Sequence, residues 1–234
     1  MENIYFKVSN LTTSYKDFSI KEIDFDLSSG DMLGLIGKSG SGKSTLIKTV
    51  IGLKKPKTGT ISFYINDKKV PVENNVGYSS QENSLFPFLT LKENIMVYGK
   101  LMGLKKSEIL ERKRILLAKF KLENDENKKI VEFSGGMAKR ADIIVTLLHN
   151  PAIIILDEPF NGLDFMLTRF LWEQIKDLAK EGKIIIVSSH FLTAIQKNCN
   201  KIGFISEGHF YNHNEMLARM KQRNLSSLQE LFVE

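Results

Sequence analysis

Gly37-Lys38-Ser39-Gly40-Ser41-Gly42-Lys43-Ser44-Thr45 decides the reading of this chain. A glycine, four residues and then Gly-Lys-Ser is the pattern of a loop that holds a nucleoside triphosphate by its phosphates. Its context fits. The apolar run ending in Leu33-Gly34-Leu35-Ile36 reads as a buried strand, and Thr45 to Ile51 reads as a helix that stops at Gly52. Glycines let the backbone fold around phosphate so that successive N–H groups point inward, and the helix N-terminus adds partial positive charge there. Lys43 supplies a full charge to the β- and γ-phosphates and Ser44 a hydroxyl to Mg²⁺. The competing reading is a glycine-rich turn with a chance lysine, which the strand, loop and helix order disfavours.

Outward from this loop the chain alternates strand and helix. Ile4–Val8 and Ile23–Leu27 are predicted as two strands of alternating character separated by a polar turn. Pro56 to Gly59 turns the chain into a strand at Thr60–Ile65, Asn66-Asp67 turns it back, and Val76–Ser79 is a short buried strand ending before Gln81. From about Phe86 to Asn150 the texture is helical, with apolar spacing of three and four over Leu91–Leu101 and Glu108–Phe120 and a polar loop over Glu123–Lys129. Short β-rich runs return at Ile153–Leu156 and Ile184–Val187, each after a helical segment. This alternation predicts an α/β fold with a parallel sheet covered on both faces.

Ile153-Ile154-Ile155-Leu156-Asp157-Glu158-Pro159 is an apolar strand delivering two carboxylates to the carboxyl edge of the sheet, where open α/β folds bind ligands. Asp157 suits a Mg²⁺ ligand, through water, and Glu158 suits a base for the water that attacks the γ-phosphate. Alone the pair could merely begin a loop; beside a phosphate loop it completes a triphosphatase.

Phe133-Ser134-Gly135-Gly136-Met137 lies about 20 residues before that strand and starts a second helix, predicted over Met137–Leu148. With it the chain resembles the ATP-binding subunit of an ATP-binding-cassette (ABC) transporter, over essentially its whole length and with the motifs in family order. The resemblance implies a P-loop NTPase (RecA-like) core with an N-terminal antiparallel β subdomain and an inserted α-helical subdomain. It further implies a single domain over 1–234, with core and β subdomain at 1–86 and 141–234 and the helical subdomain at 87–140. It implies ATP and Mg²⁺ as ligands and Gly37 to Thr45 as the phosphate loop. Further implied roles are an adenine-stacking aromatic at Tyr15, a glutamine touching Mg²⁺ and the attacking water at Gln81, an aspartate crossing a dimer interface at Asp164, and a γ-phosphate histidine at His190. Tyr15 can also be read as an ordinary strand tyrosine and His190 as a structural histidine. Ser134, Gly135 and Gly136 would close over a second copy's ATP in a head-to-tail dimer, which two-fold symmetry closes. Phe133 and Met137 depart from the usual leucine and glutamine of that motif, and Asn161 and Phe165 from the usual small residue and proline around the aspartate loop.

Leu91-Lys92-Glu93-Asn94, Tyr98 to Leu104, and Phe133 to Arg140 resemble the exporter branch whose permeases are of the ABC-2 kind, as does Ser227–Phe232 with Leu228, Leu231 and Phe232 on one helical face. The segment Ser84 to Asn94 would receive a helix from the permease. The expected partners are a second cassette subunit, as homodimer or heterodimer, and separate membrane permease subunits; no direct nucleic acid is expected. Alternatives are a cassette that moves a membrane protein without transport, or a soluble cassette acting on ribosomes or DNA.

Composition is that expected of a cytoplasmic protein, and the resemblance implies that the permease holds it peripherally on the inner face of the cell membrane. No apolar run approaches the roughly 20 residues of a bilayer span, and the start has no secretory signal pattern. One cysteine, Cys199, excludes an internal disulfide and reads as a core residue. The formal net charge of +6 is spread along the chain, and the densest basic cluster, Lys105 to Arg114, is broken by Glu108 and Glu111 at helical spacing. His149, His209 and His213 match no site.

Overall fold

The computed structural model describes residues 2–15, 18–225 and 230. Its strands are β1 (Ile4–Tyr15), β2 (Phe18–Ser28), β3 (Met32–Ile36), β4 (Thr58–Ile65), β5 (Lys68–Lys69), β6 (Val76–Ser79), β7 (Ile153–Asp157), β8 (Ile184–Ser189), β9 (Lys201–Ser206) and β10 (His209–Tyr211). Its α-helices are α1 (Lys43–Val50), α2 (Leu91–Leu101), α3 (Lys106–Phe120), α4 (Gly135–Thr146), α5 (Phe165–Lys180), α6 (Leu192–Asn198) and α7 (His213–Gln222). The expected apolar face of Leu228, Leu231 and Phe232 lies outside the described residues.

Among the described residues one sheet runs in the order β5-β4-β1-β2-β10-β9-β3-β8-β7-β6. Its half from β9 to β6 is parallel, and β1 pairs antiparallel with both β2 and β4. The runs without polar residues became the middle of the parallel half. β3, β7 and β8 are buried at every position, as strands covered on both faces must be. Their side chains alternate between two cores. Leu33, Leu35, Ile153, Ile155, Ile184 and Ile186 face a cluster shared with β1, β2, β4 and α1. Met32, Ile36, Ile154, Leu156, Ile185 and Val187 face the cluster built from α2 to α5. Each fully buried Leu or Ile contributes about 1.5–3 kcal/mol.

β1 and β2 differ from expectation. They run to Tyr15 and from Phe18, through residues read as a polar turn, with register shifts between Val8 and Thr13. Backbone pairing needs no apolar side chain, and Leu11, Thr13 and Ile20 still bury a face inward.

Helices α2, α4 and α5 carry their own start signals. α2 opens on a reciprocal cap, in which Thr90 Oγ1 accepts from Glu93 N at 3.2 Å and Glu93 Oε2 from Thr90 N at 2.8 Å. Ser134 and Asp164 cap α4 and α5 by accepting from Met137 N at 3.3 Å and Leu167 N at 2.8 Å. α4 continues past residue 140, where the expected helical insert ends, to Thr146 beside β6.

The parallel register lines up the carboxyl ends of four strands. Ile36 pairs with Ser189, Asp157 with Ser188, and Ser79 with Leu156. The phosphate-loop sequence, Gln81, Glu158 and His190 therefore leave the sheet along one edge.

Candidate active site

The loop after β3 and the start of α1 form one wall of a cavity of about 610 Å³. Tyr15, Ser39 to Thr45, Gln81, Glu158, Asn161 and His190 line it. Two glycines are needed for the loop's path. Gly42, the residue before α1, has φ +102, and a Cβ there would stand 2.6 Å from Ile20 Cδ1. A Cβ on Gly37 would meet the Ile205 carbonyl oxygen at 2.7 Å.

Lys43 lies almost wholly inside. Its Nζ donates to the Gly37 and Lys38 carbonyls at 2.8 and 3.4 Å and stands 3.4 Å from Glu158 Oε1. The other oxygen, Glu158 Oε2, is 3.0 Å from His190 Nδ1. Glu158 holds φ +50, a left-handed conformation that a non-glycine residue takes only when its surroundings impose it. Ser188 Oγ supplies one such constraint, accepting from Glu158 N at 2.8 Å while donating to Asp157 Oδ1 at 2.5 Å.

Asp157 sits behind the loop and is buried. Its Oδ2 accepts from Ser44 Oγ at 2.8 Å and from Tyr78 OH at 3.4 Å. Burial, reinforced by the Asp157 charge, pushes the Tyr78 phenol well above its ordinary value, so it stays a donor. The hydroxyl and carboxylate expected to share a Mg²⁺ are thus already in contact. Among the described residues no group of three or more His, Cys, Asp or Glu side chains could hold a metal. Mg²⁺ nevertheless fits here, because it is commonly held by one or two carboxylates together with substrate phosphates. Ser41 Oγ is buried with no protein partner and belongs to the same loop, leaving a donor for an anion.

The remaining expected residues fall elsewhere. Tyr15 is 59% exposed at the end of β1, on the cavity rim. Ser134, Gly135 and Gly136 do not line the cavity; they start α4, where Gly136 packs against Leu167 of α5. Asp164 is on the same side as that contact, at the start of α5. Asn161 lines the cavity and was not assigned from sequence. Its signal was position, since its N–H donates to the Glu158 carbonyl at 3.3 Å in the turn leading to Asp164. Lys139 and Asp142, to which no site role is assigned above, are placed under the Gln81 loop by α4. His149 is half-buried, with Nε2 3.2 Å from the Val76 carbonyl, a structural position.

Among the described residues no helix is long and apolar enough to cross a membrane. Residues 20–161 match the family described as ABC transporter. The chain is 34% identical to the linearmycin resistance ATP-binding protein of Bacillus subtilis over 94% of its own length and 70% of that protein's. It is 32% identical to a Nod factor export ATP-binding protein of Burkholderia lata, over 81% of this chain and 63% of that one. Among solved structures, an ATP-binding subunit of an ABC transporter superposes with a TM-score of 0.83 at 30% identity, covering 97% of this chain and 98% of the other. A dimeric, post-hydrolysis ATP-binding cassette bound to ADP and Pi superposes with a TM-score of 0.75 at 26% identity, covering 88% and 98%. The fold is that of a P-loop NTPase cassette.

Proposed function

The chain belongs to the ABC transporter ATP-binding family, and from that premise we propose that it hydrolyses ATP with Mg²⁺, as a dimer, to drive export through a separate membrane permease. One observation carries the chemistry: neighbouring strand ends deliver Lys43, Ser44, Asp157, Glu158 and His190 to one edge, with Asp157 joined to Ser44 and Glu158 to both Lys43 and His190.

On this reading the N–H groups of Gly37 to Thr45 and the Lys43 ammonium hold the phosphates, and Tyr15 stacks on adenine. Ser44, Gln81 and Asp157 would hold Mg²⁺, which neutralises phosphate charge when bound. Glu158 takes a proton from the attacking water as its oxygen bonds the γ-phosphorus and the bond to the bridging oxygen breaks, releasing ADP. His190, already on Glu158 Oε2, orients that carboxylate and reaches the γ-phosphate. Ser134, Gly135, Gly136 and Asp164 lie outside the cavity and would complete the partner copy's site. The related dimeric cassette supports the dimer, and the export relative supports the direction. The permease would hold the chain at the cytoplasmic face of the membrane, against the 87–140 helical unit.

Phosphate release from ATP by the purified chain, with and without Mg²⁺, tests the chemistry; Mg²⁺-dependent turnover is expected, and none would contradict it. Co-purification from solubilised membranes tests the partner. Membrane-spanning subunits should accompany the chain, and its recovery alone or with ribosomes would overturn the transport reading.

A further inference from the structure

The loop from Ser79 to Thr90 carries Gln81 to the cavity, and side chains of α2 and α4 hold it at Ser79, Ser80, Ser84 and Phe86. Asp142 of α4, 2% exposed, accepts from Ser79 Oγ through Oδ2 and from Ser84 N and Ser84 Oγ at 3.3 and 3.4 Å through Oδ1. Lys139, one turn earlier and 8% exposed, donates to the Ser80 carbonyl at 3.1 Å and lies 4.0 Å from Asp142 Oδ2. Tyr98 of α2 donates to the Ser84 carbonyl, and the fully buried Asn94 brackets Phe86, accepting from its N–H at 2.8 Å and donating to its carbonyl at 3.1 Å. Gln81 thus sits between a clamp on Ser80 and a clamp on Ser84, both from α4.

The same helix begins at Ser134. Eight residues, about 12 Å of helix, separate that cap from Asp142. A helix of this length transmits a shift at one end to the other, because its backbone bonds and packed side chains have no soft joint.

We propose that Asp142 and Lys139 are positioning residues that fasten Gln81 to the Ser134 helix, so that this subunit's own phosphate site and the end it offers to the partner's site move as one body. This rests on the dimeric ATPase reading above. A buried charge pair and four hydrogen bonds from Lys139 and Asp142 converge on this one short loop, and they fall on both sides of Gln81. Burial holds the Lys139 ammonium below its ordinary range, while the Asp142 and Asp157 charges oppose that shift.

The test is a double-mutant cycle on ATP turnover using the wild-type chain, Asp142→Asn, Gln81→Ala and the double variant. Asp142→Asn should lower kcat about 10-fold with KM for ATP within about twofold, the signature of misplaced rather than lost binding groups. In the Gln81→Ala background the same change should cost almost nothing, because its route of action is already gone. Lys139→Met, which keeps the buried stem, should repeat the pattern and serves if Asp142→Asn folds poorly. Multiplying kcat losses, or a KM that rises in step, would overturn the proposal and leave Asp142 and Lys139 as packing alone. A wild-type chain that neither dimerises nor turns over ATP would instead sink the reading on which the proposal rests.

Discussion

Lys43 Nζ lies 3.4 Å from Glu158 Oε1 across the floor of the phosphate cavity, with side chains only 7% and 11% exposed. An ammonium and a carboxylate this buried stabilise each other only through close geometry, and here the loop carbonyls and His190 complete the set. On the proposed reading phosphate would bring negative charge to the same ammonium, so that binding would exchange partners for Lys43 and release Glu158 toward water. Lys43→Ala should therefore lower kcat/KM for ATP at least about 100-fold, the scale seen when one oxyanion donor is removed. Steady-state phosphate release checks this, and near-normal turnover would contradict it.

Ser44 Oγ donates to Asp157 Oδ2 at 2.8 Å. Ser44→Ala removes one expected Mg²⁺ ligand and leaves Asp157 with Ser188 and Tyr78. The Mg²⁺ concentration for half-maximal turnover should rise about 10- to 100-fold, read by titrating Mg²⁺ at saturating ATP.

Asp164 caps α5 whether or not a partner copy is present, so this duty is separable from the one proposed for it at a dimer interface. Asp164→Asn keeps a capping oxygen and loses the charge; Asp164→Ala loses both and should cost about 1 kcal/mol of stability. If Asp164 also serves the dimer, the Asn variant should melt like wild type yet show slower turnover. Equal turnover at equal Tm would leave it a cap only.

Burial pushes the Cys199 thiol up to about 12 despite the Lys176 charge nearby. The thiolate is the nucleophile, so at pH 8 alkylation of the folded chain should be at least about 100-fold slower than for a free cysteine. The rate should climb as pH approaches the thiol's own range. Rapid labelling at pH 8, timed by mass spectrometry, would show that the β3 to α6 packing opens readily.

The parts legible in the sequence were those whose signal is local. The α2 bounds, Leu91–Leu101, follow from apolar spacing, and the Thr90 and Glu93 cap found in the structure fixes the first of them. β3, β7 and β8 are apolar because both faces are covered, and the phosphate loop carries its own glycines. What the sequence left blank is set by distant partners. Polar residues after Val8 stay in β1 because β2 and β4 offer backbone partners. Asn161 reaches the cavity only through the turn that follows the left-handed Glu158. Lys139 and Asp142 look like ordinary polar residues of an amphipathic helix until their contacts 58 to 63 residues away are drawn. That Ser134 does not line the cavity that Lys43 lines is likewise a property of topology.

The most direct measurement is on Glu158→Gln, which removes the proposed base and keeps the side chain's shape and its hydrogen-bonding reach to Lys43 and His190. In size-exclusion chromatography with light scattering, Mg²⁺-ATP should shift this variant to twice the 26.6 kDa of one chain, and phosphate release should fall at least about 100-fold. A variant that stays monomeric in ATP and turns over at the wild-type rate would contradict both the base and the dimer.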